Sequence, residues 1–343
     1  MLRSAGIGMV KIKDVAREAG VSPATVSRVL NGSLTVDSIL AERVRVVAAA
    51  LNYHPNAVAR GLRTQRTKMW ALIISDIGNP FFTTIARGVE DVAHANDYAL
   101  MLCNSDEDSA KEFEYLRAAV DGQAAGVILS PHGLDTRVDI LDAAGVPYVI
   151  IDRSLGSPHD TVLVDTEKGA YEAARHLLNS GWNSPACIAG PSYALSAIQR
   201  LDGYKRAMRE ANRPERFVQV DFRIEGGRQG AADLLDSTDP PDALITSNAA
   251  ITLGALREIS SRDLKPGEDI GLVAFDDTPW AEVLRPALSV VAQPAYEIGQ
   301  TAASLLVQRI GGDKESHRCI TLQTELIIRG SSLRTTSMSK TWE

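Results

Sequence analysis

Apolar residues recur at helical spacing over the first fifty or so positions and then, from Met69 onward, gather into short unbroken runs. In the first region Ile12, Val15, Ala16 and Ala19 make one stripe on a helix that ends at Gly20. Small residues crowd this point, as two short helices crossing sharply require, and a glycine suits a turn that needs a positive φ. Ser22 followed by Pro23 marks the next start, because the Ser oxygen caps a free N–H and Pro fits the first helical position. Val26, Val29 and Leu30 then face inward, and Pro23, Ala24, Thr25, Ser27 and Arg28 face out. A third amphipathic helix, from Asp37 to Leu51, turns Ile39, Leu40, Val44, Val47, Ala48 and Leu51 toward the first two. Pro55 opens one more short helix that carries Arg60 and Arg63, then Arg66 and Lys68, with Leu62 left unburied.

The second region changes period. WALIIS, ALMLCN, GVILS and YVIID are β-rich runs separated by helix-length amphipathic segments, and PACIAG, FVQVDF, DALITS and IGLVAF repeat the pattern. Such alternation predicts an α/β fold of two doubly wound parallel-sheet lobes, each with helices on both faces. SVVAQPAYEIGQTAASLLVQRI and CITLQTELIIRG are expected to recross between the lobes. Ligands in such folds bind outside the carboxyl ends of the strands.

Charge is divided along the same boundary. Up to Lys68 the chain carries eleven Lys or Arg against four Asp or Glu; with the whole chain at −7, the remainder carries about −14. A basic head binds phosphate by releasing counterions, and an acidic body stays off DNA. The outward face of the second helix is small and hydrogen-bonding, so it can lie against base edges, with Arg28 bidentate to guanine O6 and N7. The same pattern also fits a small helical hairpin with a solvated face. A short basic helix with an unburied Leu suits the minor groove, where apolar side chains wedge between base steps.

Composition excludes several classes. At 45% hydrophobic and 23% charged, 343 residues suffice for two or three domains with a sizeable core. No apolar run is long enough to span a membrane and no signal-peptide pattern opens the chain, so a cytoplasmic protein is expected. Cys103, Cys187 and Cys319 are few and distant, which argues against a disulfide framework. No Walker-type phosphate loop, strand-borne GxGxxG, HExxH or GxSxG occurs, and the six His are dispersed. Neither an enzyme, a cofactor nor a metal is therefore expected. The adjacent Asp276 and Asp277 suggest paired acids, but one strand-end carboxylate holding a ligand explains them without chemistry.

The stretches IKDVAREAGVSPATVSRVLNG, LNYHPNAVARGLRT and DIGNPFFTTIARGVEDVAHANDYAL, followed by NSDED, resemble the lac repressor family of bacterial transcription regulators. The resemblance implies a helix-turn-helix head joined to a periplasmic-binding-protein-like body. It divides the chain into a disordered extension over about 1–10, a DNA-binding head over 11–55, a hinge helix and linker over 56–68, an effector-binding and dimerisation body over 69–330 and a tail over 331–343. The first lobe is expected over about 69–161 and 292–319, the second over about 162–291 and 320–330. Met9 is a candidate alternative start. By position, Pro23, Ala24 and Arg28 are implied as base readers, Thr25, Ser27, Asn31, Asn56 and Ala59 as phosphate or groove contacts, and Leu62 as the wedge at the centre of a near-palindromic operator. With no leucine-heptad tail after Gly330, a homodimer is expected.

The strand-end residues of the body are Asn79, Phe81, Phe82, Asp152, Arg153, Arg200, Phe222, Asn248, Asp276 and Gln293. Aromatic faces stack on the C–H faces of a sugar, while carboxylates, amides and guanidiniums meet its hydroxyls. The set is similar to the contacts of ribose-binding proteins and ribose-responsive repressors, which implies a pentose effector, ribose first. Competing readings make Phe81 plain core and leave Asp152 paired with Arg153 or capping a helix. Other effectors remain open: a hexose, a nucleoside or a purine, although Ala194 and Ser196 replace the Arg and Thr of purine-responsive relatives. So does a sugar-binding module with no DNA role. Ala249, where many relatives carry Asp, removes one polar group, and Asp108 is balanced between reaching the cleft and sitting in a solvated loop.

Overall fold

The computed structural model describes residues 10–30, 36–53, 67–156 and 158–334. It consists of two compact units, Met1–Thr67 and Lys68–Glu343. In the first, α1 (Ile12–Glu18), α2 (Pro23–Leu30) and α3 (Ser38–Ala50) enclose Val15, Ala16, Ala19, Val26, Val29, Ala41, Val44 and Ala48. Gly20 makes the turn at φ +65°. The Ser22 hydroxyl accepts from the Thr25 amide at 3.1 Å and so caps α2. Asp37 caps α3 by accepting from the Ile39 and Leu40 amides. One expected inward residue faces out: Ile39 is 81% exposed. It lies on the same face of α3 as Glu42, Arg43 and the exposed Val46, roughly opposite the buried stripe of Ala41, Val44 and Ala48.

The second unit holds two six-stranded sheets. The first, in the order β11-β5-β4-β3-β1-β2, is built from β1 (Met69–Ile74), β2 (Ala99–Asn104), β3 (Gly126–Leu129), β4 (Tyr148–Ile151), β5 (Thr161–Val164) and β11 (Cys319–Leu322). All its pairings are parallel. The second, β12-β10-β9-β8-β6-β7, contains β6 (Pro185–Ala189), β7 (Phe217–Gln219), β8 (Ala243–Thr246), β9 (Gly271–Phe275), β10 (Ser289–Ala292) and β12 (Glu325–Ile327), with β12 alone antiparallel. Helices cover both faces of each sheet. On the first sheet α4 (Pro80–Ala95) and α11 (Ala295–Ile310) bury Ile85, Val89, Ile298 and Ala302 on one side. Across the sheet, α5 (Ser109–Asp121) and α6 (Asp139–Ala144) bury Leu116, Ala119 and Leu141. On the second, α9 (Ile224–Leu235) and α10 (Ala249–Ser261) lie opposite α7 (Thr166–Asn179) and α8 (Leu195–Glu210).

Two boundaries differ from the sequence reading. Thr161–Val164 and Cys319–Leu322 pair with each other and complete the first sheet, so both crossings fall a few residues later than expected. The short run TVLV, set between acids, was not distinctive enough to be read as a strand. The expected tail also starts too early. Ser331 and Ser332 are buried: Ser331 Oγ donates to the Leu272 carbonyl at 2.7 Å, while Ser332 Oγ lies 2.7 Å from His176 Nε2 and 2.6 Å from Ser289 Oγ. These hydrogen bonds fasten Ser331 and Ser332 to the second lobe.

The α4–α11 pair is packed at backbone contact, as are α7–α8 and α9–α10. A Cβ on Gly88 would stand 2.3 Å from the Tyr296 carbonyl oxygen, and one on Gly299 would stand 2.2 Å from that of Ile85. Backbone meets backbone there, so no side chain can yield. Gly88→Ala is expected to destabilise the body by about 2 kcal/mol or more. Thermal unfolding checks this, and an unchanged midpoint would show that the two helices can separate cheaply.

Candidate effector cleft and DNA-binding helix

Parallel strands deliver their carboxyl ends to the same edge of a sheet, and the two edges of this body meet in one cavity. Asn79, Phe81, Phe82, Asp152, Arg153, Arg200, Phe222, Asn248, Asp276 and Gln293 all line it, with Asp76, Glu107 and Ser196 beside them. The three additional residues were missed. Asp76 lies two positions past β1 and Ser196 at the start of α8, so the strand-end rule reaches both. Glu107 is harder, because its neighbour Asp108 carries the more familiar signal. Asp108 in fact caps α5: its Oδ1 accepts from the Ala110 amide at 2.8 Å and the Lys111 amide at 3.0 Å. Those amides hold its carboxyl below the usual range.

Backbone geometry fixes what each side chain can offer. Asn79 caps α4 by accepting from the Phe81 amide at 3.0 Å, and Asn248 caps α10 by accepting from the Ile251 amide at 2.8 Å. Each cap engages the amide oxygen and leaves the side-chain N–H donors without a protein hydrogen bond among the described residues. Asp152 and Asp276 stand at φ +66° and +75°, left-handed conformations that Asp tolerates and that hold the chain just past β4 and β9. Gln293 Nε2 donates to Asp276 Oδ1 at 2.6 Å, and its Oε1 is buried without a hydrogen-bond partner among the described residues. Arg200 lies over the Phe275 ring, 4.4 Å from its centroid, and donates to the Ser247 carbonyl; its Nε has no partner among the described residues. Phe81 and Phe82 meet edge to face at 5.0 Å.

The competing readings are partly true as well. Phe81 belongs to the core of the first lobe as well as to the cavity wall. Asp152 Oδ2 lies 3.3 Å from Arg153 Nε and still lines the cavity. Asp277 does not line this cavity and pairs with Arg329 at 3.0 and 3.1 Å, whereas Asp276 accepts from Gln293, so the adjacent acids have different partners. Burial pushes the Asp152 carboxyl above the usual range, against the pull of Arg153 and Arg200. Burial likewise lowers Arg200. Phe222 lies three residues past the end of β7, against the Arg153 guanidinium at 5.6 Å.

In the head, α2 leaves Pro23, Ala24 and Arg28 exposed, with Thr25 and Ser27 half-buried. The Thr25 hydroxyl is 2.9 Å from that of Ser22. Asn31, Asn56, Ala59 and Leu62 lie outside the described residues. Among the described residues no group of three or more ligating side chains could hold a metal, and no helix is long and apolar enough to cross a membrane.

Comparison with known proteins agrees with this division. Residues 11–56 match the family "Bacterial regulatory proteins, lacI family", and residues 174–332 match "Periplasmic binding protein-like domain". The ribose operon repressor of Haemophilus influenzae is 33% identical over 94% of this chain and 98% of its own length. Catabolite control protein A of Priestia megaterium is 33% identical over 94% and 99%. Among solved structures, the Lac repressor dimer bound to operator and the anti-inducer ONPF aligns with a TM-score of 0.85 at 26% identity, covering 95% of this chain and 100% of that one. A lacI-family regulator from Enterococcus faecium with bound ribose aligns at 0.70 and 28% identity, covering 78% and 100%. The chain therefore belongs to the lacI family of bacterial regulatory proteins, and is a DNA-binding transcriptional regulator whose body has the periplasmic-binding-protein-like fold.

Proposed function

We propose that this regulator is a repressor whose affinity for a near-palindromic operator is set by an uncharged sugar in the interlobe cleft, a ribose-like pentose first. The observation that carries the reading is the inventory of the cavity wall. Asn79 and Asn248 offer donors, Asp152, Asp276 and Gln293 offer acceptors, and the phenyl rings supply apolar faces. A small polyol whose hydroxyls both donate and accept satisfies such a set. Four carboxylates, on Asp76, Glu107, Asp152 and Asp276, face two guanidiniums, on Arg153 and Arg200, in that wall. An anionic ligand would add to the excess, which favours a neutral sugar over a sugar phosphate. The ribose-bound structural relative and the ribose operon repressor support the choice of pentose.

The repressor acts as a homodimer in this reading, as the Lac repressor relative does on its operator. An apolar groove on the second lobe, lined by Leu253, Leu256, Trp280, Leu284 and Leu333, is the face assigned to the second copy. Two heads then place two recognition helices on related half-sites. Sugar that prefers the closed cleft weakens operator binding, and operator weakens sugar binding by the same factor.

Isothermal titration of the full chain with D-ribose, a hexose, a purine base and ribose 5-phosphate tests the effector. Ribose is expected to bind, and Asp276→Asn to weaken it by about tenfold to a hundredfold, the worth of a hydrogen bond to a charged group. Binding of the phosphate or the purine instead of ribose would replace the neutral-pentose reading and keep the family.

Acid should also weaken binding. An ionised Asp152 accepts a sugar hydroxyl and a protonated one loses that acceptor, so affinity is lost as pH falls through its pKa. Because burial raises that pKa, the loss is expected to begin above the pH at which an ordinary Asp protonates. In Asp152→Asn the step should vanish from the pH profile, and a step that survives belongs to another group.

On DNA, Arg28→Ala is expected to cost about 1–3 kcal/mol of operator binding and to relax preference at one base pair. An equal loss on all sequences in a gel-shift panel would make Arg28 a phosphate contact instead.

A further inference from the structure

Arg153 carries much of the positive charge of the cleft, yet its guanidinium is almost wholly engaged inside the protein. Nη1 donates to Glu107 Oε2 at 3.0 Å, to the Pro131 carbonyl at 3.2 Å and to the His132 carbonyl at 3.1 Å, and Nη2 donates to Glu107 Oε1 at 2.6 Å. Nε makes no hydrogen bond among the described residues, although it lies 3.3 Å from Asp152 Oδ2. The Arg153 side chain is 3% exposed and that of Glu107 is 9% exposed. Burial pulls the guanidinium pKa down, but the facing Glu107 carboxylate more than offsets this and holds it above its usual value. Five fixed donors in a planar fork suit this bridging task, and a Lys could not reproduce it.

Both of the loops that Arg153 grips lead across the cleft. In the loop Ser105–Asp108, Asp106 and Glu107 stand at φ +60° and +56°, two successive left-handed residues neither of which is glycine. Such strain persists where the surroundings over-determine it. Here the Glu107 amide donates to the Ser75 carbonyl at 2.9 Å, the Glu107 side chain meets Arg153, and Asp108 caps α5. That conformation aims Asp106 at the second lobe, where its carboxylate and its carbonyl each accept from Arg223 at 3.0 Å.

The second loop follows β3. Buried Glu112 fastens it, accepting from the His132 amide at 2.6 Å and from Thr136 Oγ1 at 2.8 Å. The His132 ring then stacks on Tyr193 of the second lobe, with centroids 4.4 Å apart and planes 14° from parallel. Burial, with the Glu107 carboxylate next, pushes the Tyr193 phenol up to about 12.

We propose that Arg153 is a positioning residue that anchors a two-point latch between the lobes, made of the Asp106–Arg223 ion pair and the His132–Tyr193 stack. An effector that fixes Asp152 or Arg153 Nε thereby fixes both loops, and one guanidinium links occupancy of the cleft to its closure. The assignment of Arg153 to the cleft comes from the proposed function; the latch contacts do not depend on which ligand binds.

Hydrogen exchange followed by mass spectrometry on the full chain without added sugar tests the latch. Arg223 is exposed and Tyr193 is 39% exposed, so Arg223→Ala and Tyr193→Ala should leave the fold intact, with an unchanged melting temperature as the control. Each variant is expected to speed exchange severalfold in both loops, including the loop it does not touch, and Arg153→Lys should loosen both together. High salt should reproduce Arg223→Ala, because the Asp106 and Arg223 side chains are 45% and 50% exposed and therefore screened, and it should spare the effect of Tyr193→Ala. Loosening confined to the contacted loop, or no loosening, overturns the latch. A second arm measures release of D-ribose by stopped flow, where both variants are expected to raise the off-rate about tenfold with little change in the on-rate. If wild-type protein does not bind ribose, the pentose reading falls and the exchange arm still decides the latch.

Discussion

The body of this protein depends on one constraint, that strands running in parallel must all release their chains at the same edge. The ends of β4, β8, β9 and β10 lead within two residues to Asp152, Asn248, Asp276 and Gln293, the chain after β1 reaches Asn79 at the start of α4, and the two sheets bring these edges to one cavity. Each turn there has a second demand to meet. A following helix needs a cap, and a chain leaving a buried strand sharply needs a residue that accepts positive φ. Asn and Asp answer both demands, because a short polar side chain can bond its own backbone. The residues that complete the fold at this edge are thus the same ones that carry hydrogen-bonding groups into the cleft. Asn79 and Asn248 show this most directly: the oxygen of each caps a helix, while the same side chain lines the cavity.

Where a single periodicity or a single edge decides a residue's place, the sequence was legible. The runs of the two sheets and the strand-end polar residues follow from such rules. Legibility failed where two neighbours compete for one role. In the loop after β2 three acids follow Ser105, and which one caps and which one reaches the cleft depends on two left-handed backbone angles that no spacing encodes. It failed also where burial is decided by distant chain. Ser331 and Ser332 look like tail until Ser289, Leu272 and His176 are seen to hold them. TVLV was overlooked because four residues between acids have no period of their own; β4 on one side and Cys319–Leu322 on the other make it a strand.

Two charged groups of the cleft, Asp152 and Arg200, are held in tension with their own burial. Burial raises the pKa of Asp152 and lowers that of Arg200, so each ionised group is held against its own desolvation. Coulombic attraction between them returns part of this cost, and hydrogen bonds must supply the remainder. Arg200 Nε and Gln293 Oε1 are a donor and an acceptor that no described protein atom satisfies. A ligand with neutral hydroxyls meets such atoms without adding charge.

The two guanidiniums of the cleft consequently differ in kind. Among the described residues Arg200 has one bond to the Ser247 carbonyl, a ring beneath it and an Nε without a partner, which in the proposed function suits a group that meets the effector. Arg153 spends its fork on Glu107 and on the carbonyls of Pro131 and His132, which suits a group that holds loops in place. A ligand shifts a conformational equilibrium only by the difference in its contacts between the two states. Contacts with Arg200 and Asp276 stay within the second lobe and are available whether the cleft is open or closed. In the proposed function, a ligand that also bridges to Asp152 and the Arg153 Nε needs both lobes at once, and those first-lobe contacts are the ones by which binding is proposed to favour the closed state.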